Sequence, residues 1–305
     1  MTTVISAPAV TQASVEPAAP TRTEPPSTVQ GSRARAFRTA GAALSVMSLL
    51  CLAYVVHLVA LSGLQQGRAQ DVLYRDFRYD LSQAMAPVGG AMAIGAPVAV
   101  LDVPGIGLRQ VVVEGTRSGE LMTGPGHRRD TVLPGQAGVS AIVGRRAAYG
   151  GPFAAVDALR PGDPLAVVTG QGRVTYVVER VRTEADPLPP PVATGGGRLV
   201  LVTADEPLWP REPIYVDARQ TSPVQPAPAG RVGGIRAEEG VMQGDPAAVL
   251  PLALWTQALA AAVLGLTWAI LRWGRRQAYV VGAPVLVFVL WNVCESVTRL
   301  LPNVL

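Results

Sequence analysis

The sequence predicts a mainly β domain, a small closed barrel or sandwich, attached to apolar segments long enough to cross a membrane. Between positions 97 and 217, seven short runs rich in aliphatic residues alternate with Gly and Pro, which is typical of a small all-β domain. Three apolar stretches lie outside this region, and each reaches the roughly 20 residues that a membrane helix needs. Of the 305 residues, 49% are apolar, which is enough for one domain with its own core plus several spans.

The amino-terminal part predicts a tail and a first anchor. Positions 1–38 are rich in Ala, Pro, Thr and Ser, so we expect a disordered cytoplasmic tail. The uncharged segment 39–66 predicts the first transmembrane helix, and the arginines before it place the tail in the cytoplasm. A cleavable signal peptide is the alternative, because Ala60-Leu61-Ser62 offers a small-x-small site. The apolar run exceeds the roughly 7 to 15 residues of a signal-peptide core, which favours an uncleaved anchor.

Two further apolar stretches predict a transmembrane helical hairpin. They cover 247–271 and 278–300, and the loop 272–277 between them carries three arginines that belong on the cytoplasmic side. The predicted topology is therefore in, out, in, out, with 301–305 as a short tail outside. Glu295 and Arg299 are four residues apart on the last helix and are expected to pair near the outer interface.

The region between the anchors is expected to face outward. Positions 67–95 contain apolar residues at helical spacing and predict a stalk. Positions 96–219 predict the β domain, and the Pro- and Gly-rich stretch 220–246 predicts a linker. The predicted strands are 97–103, 109–113, 139–144, 164–168, 174–181, 199–203 and 214–217.

Composition excludes several classes of function. All 26 basic residues are arginine, a bias typical of a high-GC, actinobacterial-type genome. The net charge of +4 is modest and the arginines are scattered, which argues against a nucleic-acid surface. We expect no cofactor and no metal, because no phosphate loop or zinc ligand set is present. The cysteines, Cys51 and Cys294, and one of the two histidines, His57, fall in predicted spans, so the outward domain has no thiol and only one imidazole, His127.

Four motifs resemble one enzyme family. The run VAVLDVPGIGLRQVVVEGT at Val98–Thr116 is similar to the opening of class E sortases, and GPGHRRDTVLPGQAG at Gly124–Gly138 resembles their next conserved segment. GRRAAYGGPF at Gly144–Phe153 and DALRPGD at Asp157–Asp163 continue the match in the family's order. Sortases are cell-wall transpeptidases of Gram-positive bacteria, and the resemblance, which covers about 97–218, implies a sortase-type closed β-barrel at the cell surface.

The resemblance fails at the three catalytic positions. The family's histidine follows a glycine, and here Arg145 follows Gly144; a guanidinium stays protonated and cannot act as a base. The nucleophilic cysteine follows a threonine at the end of a strand, and here Ala204 follows Thr203. Counting nine residues on to the family's arginine reaches Pro213, although Arg211 is an alternative that would substitute spatially.

The remaining candidates are binding residues. Arg145 and Arg146 admit two interpretations: they bind a carboxylate in the groove, or Arg145 neutralises Asp205 or Glu206 within the fold. Thr203 offers a hydroxyl without a visible base. His127 occupies a position where active family members also have a histidine that is not catalytic, and a loop histidine bonded to backbone is the favoured interpretation.

The sequence therefore predicts a membrane-anchored pseudoenzyme. Its groove would bind an extracytoplasmic protein or peptide, including a sorting-signal-like segment, or it would scaffold a cell-surface assembly. The alternative is a divergent transpeptidase or hydrolase that uses Thr203 and the Asp205/Glu206 pair. A third hypothesis makes the hairpin the functional part and the barrel its sensor. The expected contacts are with protein and the lipid bilayer, and not with nucleic acid.

Overall fold

A computed structural model describes residues 41, 44–228, 230–231 and 233–305. The expected tail at 1–38 and the first residues of the expected span at 39–66 lie outside the described residues. Four helices are used below: α1 (Ser62–Ser82), α2 (Ser118–Leu121), α3 (Val249–Trp273) and α4 (Arg275–Leu300). The strands are β1 (Pro97–Val103), β2 (Leu108–Glu114), β3 (Gly126–His127), β4 (Gly138–Val143), β5 (Pro164–Thr169), β6 (Gly172–Arg182), β7 (Gly197–Ala204) and β8 (Pro213–Gln220).

The eight strands form a closed barrel in the order β1-β2-β3-β4-β7-β8-β6-β5, which confirms the predicted fold class. Strand β4 pairs with β7 in parallel, from Gly138 opposite Gly197 to Val143 opposite Val202. Strand β8 then pairs with β7 in antiparallel register. Because β4 and β7 are parallel, their carboxyl ends meet at one edge of the barrel, and the segments that follow them lie side by side.

The barrel core is built from rows of buried side chains that continue across neighbouring strands. Ile142 lies opposite Leu201, and Leu201 lies opposite Val216, and all three are fully buried. Each such side chain contributes about 1.5–3 kcal/mol when it is removed from water. A one-residue slip of β7 would turn this row to the other face of the sheet, so the core specifies the register that places the end of β7.

The sequence pattern identifies every strand except β3. The limits of β1 coincide with the predicted 97–103, and the other predicted runs fall on β2 and β4 to β8. Strand β3 has two residues and no alternation of apolar and polar side chains. Its glycine is nevertheless necessary, because a Cβ atom at Gly126 would collide with the carbonyl oxygen of Gly115.

Three helices are long and apolar enough to cross a membrane: Leu44–Ser82, Pro246–Trp273 and Arg275–Leu300. The last two pack side by side, with the rings of Trp255 and Phe288 5.7 Å apart. Only Gly274 separates α3 from α4, so the connection is shorter than the six-residue loop expected at 272–277. Its φ of 99° is in the region that favours glycine, which permits so abrupt a reversal.

The segments on either side of the barrel are attached to it. Helix α1 is joined to β2 by Gln70, whose Oε1 accepts from the amide of Val111 at 2.7 Å. The stretch expected to be a linker lies along the barrel: the amide of Gln225 donates to Gly135 at 2.8 Å, and Arg231 forms an ion pair with buried Glu114 at 3.0 Å. This stretch is therefore bound to the barrel and does not act as a flexible linker.

Candidate functional site at the ends of strands β4 and β7

The backbone brings the three positions expected for catalytic residues to one place. The amide of Gly144 donates to the carbonyl oxygen of Val202 at 2.9 Å, so the parallel pairing of β4 and β7 continues up to the residue before Arg145. At the end of β7, Ala204 lies directly opposite Pro213 of β8. The residues that follow β4, end β7 and begin β8 are therefore neighbours, as the family pattern requires.

Ala204 is fully buried under a segment of the same chain. It belongs to an apolar cluster with Leu121, Val143, Val202 and Val304, and Val304 is 0% exposed. At this position the end of β7 presents only a methyl group, which lies in the same buried apolar cluster as Val304. The position expected for the nucleophile is thus a packing position.

The covering segment is bound through its backbone. The amide of Arg146 donates to the carbonyl oxygen of Val304 at 2.8 Å, and the amide of Ala148 donates to that of Leu305 at 3.3 Å. Leu305 is 4% exposed. The sequence predicts only a tail at 301–305, and nothing in its pattern indicates that these residues return to the barrel.

Asn303 fixes this segment in place. Its side-chain amide donates to the carbonyl oxygens of Thr116 at 2.8 Å and Gly240 at 2.9 Å, and its backbone amide donates to Gln243 at 2.9 Å. These partners come from two separate parts of the chain, Thr116 shortly after β2 and the segment from Gly240 to Gln243. The side-chain oxygen of Asn303 has no hydrogen-bond partner, so the segment is held through the donors of Asn303. Leaving such buried donors without a partner would cost about 1–3 kcal/mol.

Arg145 turns away from the acidic pair and into the protein. It is 0% exposed, and its Nη2 donates to the carbonyl oxygen of Ser118 at 3.0 Å and to the Ser118 hydroxyl at 2.8 Å. Its Nε and Nη1 atoms have no hydrogen-bond partner, and in the described part of the chain no carboxylate is within ion-pair distance. Burial lowers the pKa of Arg145 to about 10. Neither expected pairing, with Asp205 or with Glu206, is present.

The ring of Tyr149 also contacts the Arg145 guanidinium. The Arg145 guanidinium carbon lies 5.2 Å from the centre of the Tyr149 ring, a cation–π contact. Burial raises the pKa of Tyr149 to about 12, and its hydroxyl has no hydrogen-bond partner. The residue has a φ of +53°, which is uncommon for a residue other than glycine. Next to it is His57, whose ring centroid is 6.5 Å away and whose two nitrogens are buried and unpaired.

The sequence did not identify Tyr149 or His57 as neighbours of the site. Tyr149 was visible only as part of the resembling run, and His57 only as a polar residue inside an apolar span. His57 lies in a π-helical turn, His57–Leu61, and packs edge-on against Trp291 of α4 at 4.7 Å. A polar residue in an apolar run and a helical irregularity are both signals of a specific contact.

The Asp205/Glu206 pair serves the turn between β7 and β8. Asp205 Oδ1 accepts from the amides of Arg211 at 2.9 Å and Glu212 at 3.2 Å. Burial opposes ionisation of this carboxyl, but these amide hydrogen bonds outweigh it, and the pKa of Asp205 is lowered. Glu206 is exposed. The acidic pair therefore does not reach Thr203 or Arg145 as a base or a counter-ion.

Thr203 and Arg146 also have structural partners. The Thr203 hydroxyl is fully buried and donates to the carbonyl oxygen of Gly144 at 2.9 Å. Arg146 Nη2 donates to Asp157 Oδ2 at 2.9 Å, and this hydrogen bond lowers the pKa of Asp157. Arg211 is exposed on the loop after β7, and the residue opposite Ala204 on β8 is Pro213.

His127 lies in β3 and not in a loop. Its Nδ1 is 2.9 Å from Glu114 Oε2, its Nε2 is 2.9 Å from the carbonyl oxygen of Val132, and it is 0% exposed. Both ring nitrogens are thus held by partners outside the cluster around Ala204. Among the described residues, no group of three or more His, Cys, Asp or Glu side chains is placed to hold a metal ion.

Comparisons with known proteins agree with this fold. Residues 101–218 match the family described as Sortase domain. No curated protein matches the chain. Among solved structures, sortase E from Streptomyces avermitilis is 31% identical over 43% of this chain and 91% of its own, with a TM-score of 0.37. A sortase D5 transpeptidase from Clostridium perfringens is 18% identical over 51% of this chain and 99% of its own, with a TM-score of 0.43. Sortase E1 from Streptomyces coelicolor, solved with a tripeptide in its active site, is 22% identical over 44% of this chain and 93% of its own, with a TM-score of 0.38.

Proposed function

The chain carries a sortase-family domain at residues 101–218, and from this premise we propose that it is a membrane-anchored, non-catalytic protein whose groove binds an extended peptide. The observation that carries the proposal is the position of Val304, buried against Ala204 at the end of β7. The Val304 side chain thus lies in the cluster around the position expected for the nucleophile, where a substrate would bind in an enzyme. We further propose that the chain is a class E-like member of the family, on the strength of its four sequence motifs.

The site lacks the groups that transpeptidation needs. Acyl transfer requires a nucleophile and a base within hydrogen-bond reach, and Ala204 and Arg145 provide neither. Loss of a nucleophile and its base costs about 10⁶-fold in a serine protease, or about 8 kcal/mol. The Thr203 hydroxyl is not a replacement, because it is buried and donates its proton to the carbonyl oxygen of Gly144.

The groove does have the properties of a peptide-binding site. The amides of Arg146 and Ala148 bind the backbone of the incoming segment, and the apolar cluster around Ala204 holds one branched aliphatic side chain. The carbonyl oxygens of Thr116 and Gly240 accept from the side-chain amide of Asn303, so they select an amide side chain at the residue before the aliphatic one. The recognised ligand is therefore an extended peptide with Asn followed by Val, which this chain provides from its own sequence at Asn303–Leu305.

The three long apolar helices support a position of this groove at the outer face of the cytoplasmic membrane. The first of them, Leu44–Ser82, and the pair α3 and α4 have the length and composition of spans. An arginine-rich turn at Trp273–Arg276 faces the cytoplasm in this arrangement. The barrel then lies outside, beside the ends of α1 and α4, where a protein or peptide partner at the cell surface can reach it.

Catalysis is tested with the purified full chain, a sorting-signal peptide and an amine nucleophile. We expect no cleavage and no transfer product by mass spectrometry. Turnover that disappears in a Thr203→Val variant would contradict the proposal and would favour the alternative, a threonine-dependent enzyme. A Thr203→Ser variant is the matched control, since it keeps the hydroxyl that such an enzyme would need.

Peptide binding is tested with a variant that lacks residues 302–305. We expect a synthetic Pro-Asn-Val-Leu peptide to bind this variant, measured by fluorescence anisotropy, and to bind the full chain far more weakly. A peptide with Asp in place of Val is the control and should not bind, because a carboxylate would be buried in the apolar cluster. A deletion variant that is folded by circular dichroism and binds neither peptide would overturn the proposed groove function.

A further inference from the structure

A cavity lies between the barrel and the apolar helices. It has a volume of about 670 Å³ and is lined on one side by Tyr54 and Leu58 of the first long helix and by Leu301 directly after α4. The loop that follows β7 lines the other side. A cavity of this volume is in the usual range of ligand sites. Tyr54 and Leu58 lie within the first candidate span and Leu301 directly follows the last one, so the cavity is continuous with segments that are apolar enough to enter a membrane.

The loop presents large apolar side chains beside these helices. Leu208 is 60% exposed and Trp209 is 80% exposed, and Pro210 follows them. An exposed Leu-Trp pair is unfavourable in water, but tryptophan is enriched at membrane interfaces, where its ring is in the apolar region and its N–H reaches water. The loop is therefore suited to enter the outer leaflet rather than to remain in solvent.

One cation stands at the rim of this apolar cavity. Arg211 is the only charged residue in the lining, and no ion pair is formed by it among the described residues. The carboxylate of Asp205 nearby accepts from backbone amides, including that of Arg211 itself. The cavity thus combines an apolar interior with a free guanidinium at its edge, which complements an amphiphile with an anionic head group.

We infer that the cavity binds a phospholipid, with an acyl chain between Tyr54, Leu58 and Trp209 and the phosphate near Arg211. This inference rests on the proposed membrane placement, and the cavity adjoins the peptide groove, because Pro302 and Leu305 also line it. Continuity with the apolar helices and the lone cation favour a lipid over a protein segment. The loop after β7 consequently serves as a lipid contact that fixes the tilt of the barrel above the bilayer.

The loop contact is tested with the full chain in phosphatidylcholine vesicles that carry bromine atoms on their acyl chains. The Trp209 emission, taken as the difference between the chain and a Trp209→Phe variant, should be strongly quenched. The control is Val139→Trp in the Trp209→Phe background, because Val139 is half-exposed at the opposite end of the barrel. Equal, weak quenching at both positions in vesicle-bound protein would overturn the inference, whereas protein that fails to enter vesicles would overturn the membrane anchoring as well.

The head-group preference is tested by adding phosphatidylglycerol to the vesicles. Loss of one basic residue near a membrane surface weakens anionic-lipid binding about fivefold, so Arg211→Gln should lower the bound ratio of phosphatidylglycerol to phosphatidylcholine by about that factor. Arg173→Gln, which removes an exposed arginine at the opposite end of the barrel, should leave the ratio unchanged. A photoreactive side chain at Leu208 should crosslink to lipid, and crosslinking to a protein instead would overturn the inference.

Discussion

The backbone amide of Arg146 donates a hydrogen bond to the carbonyl oxygen of Val304 at 2.8 Å. This bond joins the segment after β4 to residues that follow the last apolar helix. It also places the Val304 side chain in the cluster around Ala204. The edge of the barrel where family members perform acyl transfer is therefore closed, in this chain, by a packed and hydrogen-bonded peptide.

Restoring the nucleophile alone should not restore chemistry. In an Ala204→Cys variant the thiol has no imidazole beside it, because Arg145 occupies that position and His127 is held by Glu114 and Val132. We expect no transpeptidation above background with a sorting-signal peptide, measured by mass spectrometry. Labelling of the new thiol by a small alkylating reagent in the variant that lacks residues 302–305 is the control for access. Efficient turnover by Ala204→Cys alone would contradict the proposed loss of function.

Replacement of Arg145 by Met should stabilise the fold or leave it unchanged. The lowering of its pKa to about 10 corresponds to about 3 kcal/mol of unfavourable charge burial, which methionine avoids at similar volume. The lost hydrogen bonds to Ser118 offset part of this gain. Chemical unfolding of the full chain in detergent measures the change. Arg145→Lys, which keeps the charge, should be less stable than Arg145→Met, and the reverse order would refute this account.

Arg145 and Tyr149 should give opposite pH dependences at alkaline pH. Between about pH 10 and 12.5, folded Arg145 releases its proton while the unfolded chain keeps it, so its contribution to stability rises with pH. Tyr149 has a raised pKa of about 12, so its stabilising contribution is present below its ordinary value of 10.0 and is lost as the pH rises through 12. The free energy of unfolding, measured from about pH 9.5 to 11.5, should therefore rise more steeply with pH for Tyr149→Phe than for the parent chain.

Gly144→Ala should destabilise the barrel by about 1–3 kcal/mol. A Cβ atom at this position would lie 2.5 Å from the ring of fully buried Phe153, and neither group has room to move. Gly67→Ala is the control, because a Cβ atom there meets nothing within 4 Å and α1 should gain about 0.5–1 kcal/mol. Thermal unfolding of both variants measures the difference, and a neutral Gly144→Ala would show that the β4 end is less tightly packed than described.

Asp217→Ala should cost about 3–5 kcal/mol. Asp217 is fully buried and accepts from Arg182 Nε at 2.8 Å, and the guanidinium of Arg182 stacks on the Tyr215 ring at 4.2 Å. Removal of the carboxylate leaves a mostly buried cation without its counter-ion. Glu179→Ala removes a more exposed partner, of Arg219, and should cost less than about 1 kcal/mol. Similar losses for the two variants by chemical unfolding would be inconsistent with this difference in burial.

Local patterns were sufficient to predict the strands and the meeting of three positions, but not the contacts between distant segments. Runs of aliphatic residues specified β1 and β7, and the motif order specified that Arg145, Ala204 and Pro213 would be neighbours. Strand β3 was missed because its two residues, Gly126 and His127, are too few to show an alternation of apolar and polar side chains. Its histidine was placed in a loop for the same reason.

The partners of Arg145 show why charge patterns alone were misleading. Asp205 and Glu206 are the acidic residues closest to the degenerate position in the family pattern. However, Asp205 is bound to the amides of Arg211 and Glu212, and Arg145 is drawn to Ser118 and Tyr149. Such a choice depends on where α2 and the segment after β4 lie in the fold. Likewise, the return of Asn303–Leu305 depends on the length and direction of α4, which a sequence of apolar residues does not specify.

Because the groove's occupant is covalently attached to α4, a competing peptide faces a ligand at an effective concentration in the millimolar range. A free peptide of equal intrinsic affinity would need to reach that concentration to occupy half of the sites. Under the proposed function, a partner must therefore bind more tightly, or it must move α4 so that Val304 leaves the cluster around Ala204. With α4 in the membrane, as proposed, movement of this helix would control access to the groove.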